Sequence, residues 1–554
     1  MTATAARTLK RTFVSPNAAA SFAGVLLLAY CAGIMLGPFL DGHDTYISFS
    51  HVEIWANALK AGDLFPVWTP GDANGFGSPV PFFYHKLFNL VAAALTLATG
   101  DVVTGFRLAI LAFSTVMFYG IYRCAAQLDA DRSSRIVIAI ACVVSPYALV
   151  CLAERGAVAE YSAMALIPLG ISLTIDLLKL EAKTWPAVKL LMLLILLALA
   201  HLVTFLAATG MLLIFALYLL WKSPARGMVL LAVAGGALLT FGVLIYVPFA
   251  TWGAYFCPAQ ARLHGLPAEN AVAPLRIFSP NPGSWFAWPV SALLLGLALQ
   301  CWYRKDRRAT LVITLGLSAF ILLLLMTRLA APLWRSTDLL DFVQFPWRLL
   351  SITTPMIFVA FAGMIEQLPP TAKRYMQIGL LTVTVLNTGG LLLHLERVFT
   401  VIPLGELRHE IPSTGPGPDA GGEYFPARYQ GQLAATPNIL AVKAGSILPA
   451  RRALVEGMGG CTFQPVSQTA YFRTLEIDAS CESAGVIRVN QFYTPFLDAK
   501  GTSTDGATSE PVHDVPFIEL PLSRGKWAIQ IRERTYLELV AMAWKEKFAQ
   551  AGRD

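Results

Sequence analysis

The chain has 554 residues, of which 56% are hydrophobic and only 14% charged. A soluble domain carries about 25% charged residues, so the soluble globular class is excluded and a polytopic membrane protein is indicated. The formal net charge of +7 falls mostly in short loops between apolar runs. There Lys and Arg orient helices, so the charge does not argue for nucleic-acid binding.

An apolar stretch from Ala18 to Phe39 follows Arg7, Lys10 and Arg11. It is too long for the hydrophobic region of a cleaved signal and leads into further membrane protein, so it reads as an uncleaved first span. The bulky Tyr30 before Cys31 argues against lipoprotein-type cleavage. The next segment, Asp41 to Tyr84, gathers His43, Asp44, His51, Glu53, Trp55, Asp63, Trp68 and Asp72 directly after that span. An amphipathic helix is expected over Ile47 to Ala58, with Asp44 either capping it or serving chemistry. The run Phe82 to Thr99 is apolar but followed by Asp101 and no basic residue. It is expected to lie in or dip into the outer surface; a crossing would invert everything downstream.

Basic clusters at Arg7/Lys10/Arg11, Arg123/Arg132/Arg135, Lys179/Lys183/Lys189, Lys222/Arg226, Arg304/Lys305/Arg307/Arg308 and Lys373/Arg374 are assigned to the cytoplasm. About eleven spans follow, near 18–39, 103–124, 135–152, 161–179, 187–202, 204–221, 227–249, 284–303, 309–328, 347–366 and 375–394. Val188 to Trp221 is broken only by His201 and Thr204, and one span of that length would be far too long. Two helices with a tight turn at His201 are therefore expected.

The character changes after Leu393. Residues 395–554 contain no span but carry Gly/Pro-rich turns and the alternating runs 470–478, 485–493, 517–522 and 526–533. Period-two alternation between turn signals predicts strands and a sandwich, and Tyr536 to Trp544 a short helix on it. The expected organisation is a transmembrane domain, 1–394, with an outer loop over 40–102, followed by an extracytoplasmic β-rich domain, 395–554. Cys461 and Cys481 lie in that domain, where an oxidising compartment would join them; the remaining cysteines read as buried thiols.

Four places could carry chemistry. Asp44, beside His43, suits a general base or a ligand for a divalent cation such as Mg or Mn. Arg155 suits a phosphate, with Glu154 to hold it in place or bind metal and Glu160 as a further supporting residue; the plain alternative is a loop ion pair of little consequence. Arg348 opens a span after Phe345, Pro346 and Trp347, with Asp341 nearby; an ionisable group at that depth is a functional candidate, its natural partner an anionic headgroup. His201 could touch a phosphate or simply be a buried histidine bonded to a carbonyl. No Walker, GxSxG, HExxH or GxGxxG constellation occurs in a suitable context, which favours a lipid-linked substrate over a soluble nucleotide.

A first span, an acidic motif opening a long loop, Gly62-Asp63 with Pro66 and Trp68, and Pro81-Phe82-Phe83-Tyr84 entering the next helix resemble the membrane glycosyltransferases of the C-type fold (GT-C). The pattern is more closely similar to bacterial multi-span proteins labelled "6-pyruvoyl-tetrahydropterin synthase-related". It is carried by His43-Asp44 with Gly75-Phe76-Gly77, Glu154-Arg155-Gly156, His201, Phe345-Pro346-Trp347-Arg348 and Glu423-Tyr424-Phe425-Pro426. The resemblance implies an inverting transferase in the bacterial cytoplasmic membrane, its N-terminus inside and its β-rich domain outside. It would move a sugar from a polyprenyl-phosphate donor to a glycan, lipid or protein acceptor, with Asp44 as base and Arg155 and Arg348 on the donor phosphate. Many GT-C relatives have two adjacent acidic residues where His43 precedes Asp44 here, which leaves metal dependence open. The rival expectations are a transporter or flippase for a lipid-linked glycan, and a non-catalytic scaffold for envelope polysaccharide assembly.

Overall fold

A computed structural model describes residues 18–71, 76–179, 184–256, 266–274, 296, 307–336, 343–403, 454–464, 473–513 and 515–551. The expected span at 284–303 and the turns at 413–429 lie outside the described residues. The chain is a polytopic α-helical protein with a C-terminal β-sheet region. Among the described residues eight helices are long and apolar enough to cross a membrane: Ala19–Leu36, Val102–Gln127, Arg132–Glu154, Val158–Lys179, Leu202–Lys222, Pro224–Gly253, Pro346–Ile365 and Pro370–Val398. Leu87–Thr99, Thr184–Ala200 and Val312–Leu325 are shorter apolar helices.

The chain divides into two compact units. The first comprises 1–45, 107–239 and 264–404. Its most enclosed spans are Pro346–Ile365 and Arg132–Glu154, whereas Ala19–Leu36 leaves most of its apolar surface open, as a lipid-facing helix does. Several helix ends are tied together by hydrogen bonds. Arg107 donates to the carbonyls of Met35 and, at 2.7 Å, Gly37. A two-residue strand β1 (Phe39–Leu40) pairs antiparallel with β2 (Val401–Ile402). The hydroxyls of Thr204 and Ser351 meet at 2.9 Å. One end of the unit thus gathers the finishes of the first span and of Pro370–Val398 and the starts of Leu202–Lys222 and Pro346–Ile365. The opposite end holds Lys373 with Asp131 at 2.9 Å and Glu366 at 2.6 Å, Arg123 with Asp176 at 2.5 Å, and Lys179 on the Gln127 carbonyl at 2.6 Å.

The tie from Arg107 bears on Phe82 to Thr99. The segment between the first two long helices leaves and returns at the same end of the first unit. Leu87–Thr99 has 13 residues, about 20 Å of helix against a hydrocarbon core of about 30 Å. Both facts agree with a helix that does not cross.

The second unit comprises 46–106, 240–263 and 405–554. Strands β3 (Val455–Met458), β6 (Gly485–Phe492) and β9 (Phe517–Leu522) form one antiparallel sheet in the order β3-β6-β9. Strands β4 (Cys461–Phe463), β5 (Thr474–Cys481), β7 (Leu497–Ser503), β8 (Thr508–Ser509) and β10 (Gly525–Glu533) form the other, ordered β4-β5-β10-β7-β8. The chain switches sheets between β3 and β4 through Gly459 and Gly460, both at positive φ, a conformation open to glycine at no steric cost. Side chains of β5 alternate strictly between outside and inside. Ile477, Ile529 and Ile531 from one sheet and Ile487, Val489 and Leu520 from the other bury into one core, each worth roughly 1.5–3 kcal/mol. Cys461 and Cys481 are joined by a disulfide across β4 and β5. Tyr536–Ala551 is the closing helix.

The outer loop belongs with this unit, where sequence reading attached it to the helical domain. Val67, Trp68, Phe76 and Phe82 enter the core of the sheets. The buried Glu533 carboxylate accepts the N–H groups of Val67 and Trp68 at 2.6 and 2.9 Å. Trp68 Nε1 donates to Gln491 at 2.8 Å, and Phe492 N–H to the Phe76 carbonyl at 2.8 Å. The physical reason is satisfaction: a loop this apolar buries its backbone only where β10 and β6 supply acceptors and donors.

Two predictions follow from this unit. Glu533→Leu strands two buried N–H groups and is expected to cost about 1–3 kcal/mol for each, read as a lowered midpoint of thermal unfolding followed by tryptophan fluorescence. His51 is buried edge-on to the Tyr84 ring at 4.3 Å, and burial pushes its pKa down to about 3. Its depressed value means that the unfolded chain takes up a proton before the folded one. The stability this confers is complete above the unfolded value near 6.5 and is lost as pH falls from there towards 3. His51→Leu should flatten the acid side of the stability–pH curve over that window; an unchanged curve would assign the loss to other groups.

Candidate active site

All the site residues described here lie in the first unit. Their first element is a close backbone approach: the His43 N–H donates to the Glu154 carbonyl at 3.0 Å and the Asp44 N–H to the Arg155 carbonyl at 2.9 Å. Glycine permits it. Gly156 has φ +62°, and a Cβ there would stand 2.6 Å from the Thr45 nitrogen; a Cβ on Gly42 would stand 2.5 Å from the Glu154 oxygen. The Glu-Arg-Gly motif is thereby explained by space as well as by charge. Glu154 closes a π-turn, Val150–Glu154, of the kind that recurs at functional sites. It lies within electrostatic reach of His43, Arg155 and His394, while exposed His43 meets the Phe399 ring edge-on at 5.7 Å.

Arg155 is buried and pairs through Nη1 with Glu160 at 2.8 Å. The same nitrogen approaches the Tyr147 hydroxyl at 3.4 Å, and Tyr147 donates to the second carboxylate oxygen of Glu160. The Tyr147 oxygen also stands 3.3 Å from the Trp347 carbonyl, which brings the turn Pro346–Leu349 to the same place. Among the described residues Arg155 makes both contacts through one nitrogen, so the Nε and Nη2 side of its planar fork is not engaged by the protein.

Arg348 sits half-buried in the 3₁₀ turn begun by Pro346, its guanidinium over the Phe345 ring at 5.1 Å. The Arg348 carbonyl accepts from Ser351 Oγ at 2.7 Å, and Ser351 Oγ meets Thr204 Oγ1. Thr204 in turn meets His201 Nδ1 at 2.8 Å. His201 is therefore the N-cap of Leu202–Lys222, its ring accepting the Thr204 N–H at 3.4 Å. Its Nδ1 meets a local N–H and hydroxyl. Burial, then the charges of Arg348 and Arg155, hold its pKa well below the usual histidine range. A phosphate at His201 would meet a neutral imidazole.

The structure thus brings together His43, Asp44, Glu154, Arg155, Glu160, His201 and Arg348. Asp341, Gly75 and Glu423 to Pro426 lie outside the described residues. Tyr147 and His394 were missed. Tyr147 hides in an apolar run, where the Ser145-Pro146 break was the only signal; His394 reads as one polar residue on a lipid-facing helix. Among the described residues no group of three or more His, Cys, Asp or Glu side chains is placed to hold a metal ion, and no step below runs through one.

No protein-family model and no curated protein matches the chain. Among solved structures it is similar to the arabinofuranosyltransferase AftD from Mycobacteria, at 18% identity and a TM-score of 0.37. The match covers 68% of this chain and 26% of that one.

The geometry makes one prediction about the buried pair. Glu160→Leu leaves the Arg155 guanidinium uncompensated and is expected to lower stability by about 3–5 kcal/mol. The double variant Glu160→Leu with Arg155→Met should recover most of that loss in a thermal unfolding assay; failure to recover would mean that Glu160 acts through other contacts.

Proposed function

We propose that this protein is a membrane glycosyltransferase of the GT-C kind, moving a sugar from a polyprenyl-phosphate donor to an extracytoplasmic acceptor. The observation that supports the reading is that the backbone of residues 43–44 bonds to that of residues 154–155, while Arg155, Glu160 and Tyr147 form a buried network that reaches the Trp347 carbonyl next to Arg348. A carboxylate and two arginines suit transfer from a phosphate leaving group: the arginines take up its charge and the carboxylate takes the acceptor's proton.

The proposed step is a single displacement. Asp44 removes the proton from an acceptor hydroxyl as that oxygen attacks the anomeric carbon. The bond from that carbon to the donor phosphate oxygen breaks, and the electron pair leaves with polyprenyl phosphate, which Arg348 and the open side of the Arg155 fork hold. Attack opposite the leaving group inverts the anomeric centre. Glu160 and Tyr147 keep Arg155 oriented; His201 and Thr204 brace the Arg348 turn through Ser351. The opposite end of the unit, with Arg123, Arg132, Arg135, Lys179, Lys373 and Arg374 at or near its helix ends, has the composition of a cytoplasmic face. That assignment puts the site outside, in the cytoplasmic membrane of a bacterium.

The test is transfer of labelled sugar from a polyprenyl-phosphate donor pool in membranes. Asp44→Asn, folded and equally expressed, is expected to lose 10²-fold or more of the rate, on the order of what general bases supply. Arg348→Lys should raise the donor KM more than it lowers kcat. Absence of transfer by the wild type, with lipid-linked glycan collecting on the inner leaflet of a deletion strain, would assign the protein to flipping instead.

A further inference from the structure

The closing helix Tyr536–Ala551 has two apolar faces. Leu539, Val540 and Ala543 are buried in the second unit. At about 100° per residue, Leu537, Ala541, Trp544 and Phe548 fall on another face within about 60° of arc. Leu537 and Phe548 are each 70% exposed. Lys545 and Lys547 flank this stripe at roughly 80° to either side, the placement from which long side chains reach out of an apolar layer.

What covers the stripe is indicated by what the helix is bonded to. Tyr536 Oη donates to the Leu244 carbonyl at 2.8 Å, and Trp544 Nε1 to the Val243 carbonyl at 3.1 Å. Both carbonyls belong to the candidate membrane span Pro224–Gly253, a run of 30 residues. Its length, about 45 Å, exceeds the roughly 30 Å of hydrocarbon, so its last third reaches the membrane boundary. Leu244 and Tyr246 on that stretch are themselves exposed, continuous with the closing helix in exposing apolar surface. Tyr and Trp at the docking bonds are the residues that belong at the headgroup level.

We propose that Tyr536–Ala551 is an interfacial helix: it lies in the bilayer boundary with Leu537, Ala541, Trp544 and Phe548 in lipid and its lysines at the headgroups, anchoring the sheet-bearing unit to the membrane surface. This stands apart from the glycosyltransferase reading and would hold for a flippase as well.

The test uses the full-length protein in vesicles of phosphatidylethanolamine and phosphatidylglycerol, with a photoreactive benzoylphenylalanine at one position at a time. Phe548→benzoylphenylalanine and Leu537→benzoylphenylalanine are expected to give lipid adducts, found by mass spectrometry, about tenfold above Glu482→benzoylphenylalanine on an exposed turn of the sheets. Adducts at 548 and 537 no more frequent than at 482 would overturn the proposal. So would adducts predominantly to a second copy or another protein, which would make the stripe a protein interface. Because the exposed side chains contribute nothing to the internal core, both variants should keep the wild-type unfolding midpoint; a variant that does not is replaced by Ala541→benzoylphenylalanine on the same face, read by the same criterion.

Discussion

The helical unit depends on one buried ion pair. Arg155 and Glu160 keep only 10% and 2% of their side-chain surface exposed. Taking two charges out of water carries a penalty of several kcal/mol per ion, offset only when geometry is good and the remaining lone pairs are met. Here Tyr147 meets the second carboxylate oxygen, and the Trp347 carbonyl lies beside that hydroxyl. Three stretches of chain, around residues 147, 155–160 and 347, therefore converge for an electrostatic reason. Replacement by apolar residues would be cheaper for stability alone; on the proposed reading the pair serves the donor phosphate.

The approach of residues 42–45 to 154–156 is the second constraint, and it is steric. Two N–H groups of the first loop end on carbonyls of the π-turn and its cap, and glycine at 42 and 156 is what lets the backbones close. The backbone of Asp44 is consequently fixed by main-chain hydrogen bonds. An Asp-to-Asn exchange leaves those main-chain bonds in place, which favours a comparison that reads chemistry.

Much of the architecture was legible because it is local. Alternation placed β5, β6, β9 and β10 within a few residues, and apolar runs with basic ends placed the long helices. The break at His201 was readable from its polar pair with Thr204, though the cap bond to the Thr204 N–H is a geometric detail that composition does not carry. What sequence could not show is non-local. Trp68 meets Gln491 and Val67 meets Glu533 across more than 400 residues, so the loop's membership in the sheet unit has no signature at either end. Tyr147 was missed for a related reason: one hydroxyl in an apolar run looks like core until its carboxylate partner, thirteen residues on, is seen folded back against it.

The two arginines are unequal, and on the proposed reading the inequality is useful. A sugar linked to a polyprenyl phosphate is a phosphodiester with one negative charge; once the sugar leaves, the phosphate monoester tends towards two. The charge of Arg155 is already balanced by Glu160, whereas the Arg348 guanidinium lies over the Phe345 ring. On that reading Arg348 meets the single charge of the ground state. The increment that develops as the bond breaks falls on the open side of a fork whose other side is pinned, so no side chain has to move to receive it. Groups fixed before charge appears stabilise the transition state more than the substrate. A protonated His201 would spoil that difference by holding the ground-state phosphate as well; burial, then the charges of Arg348 and Arg155, oppose that protonation.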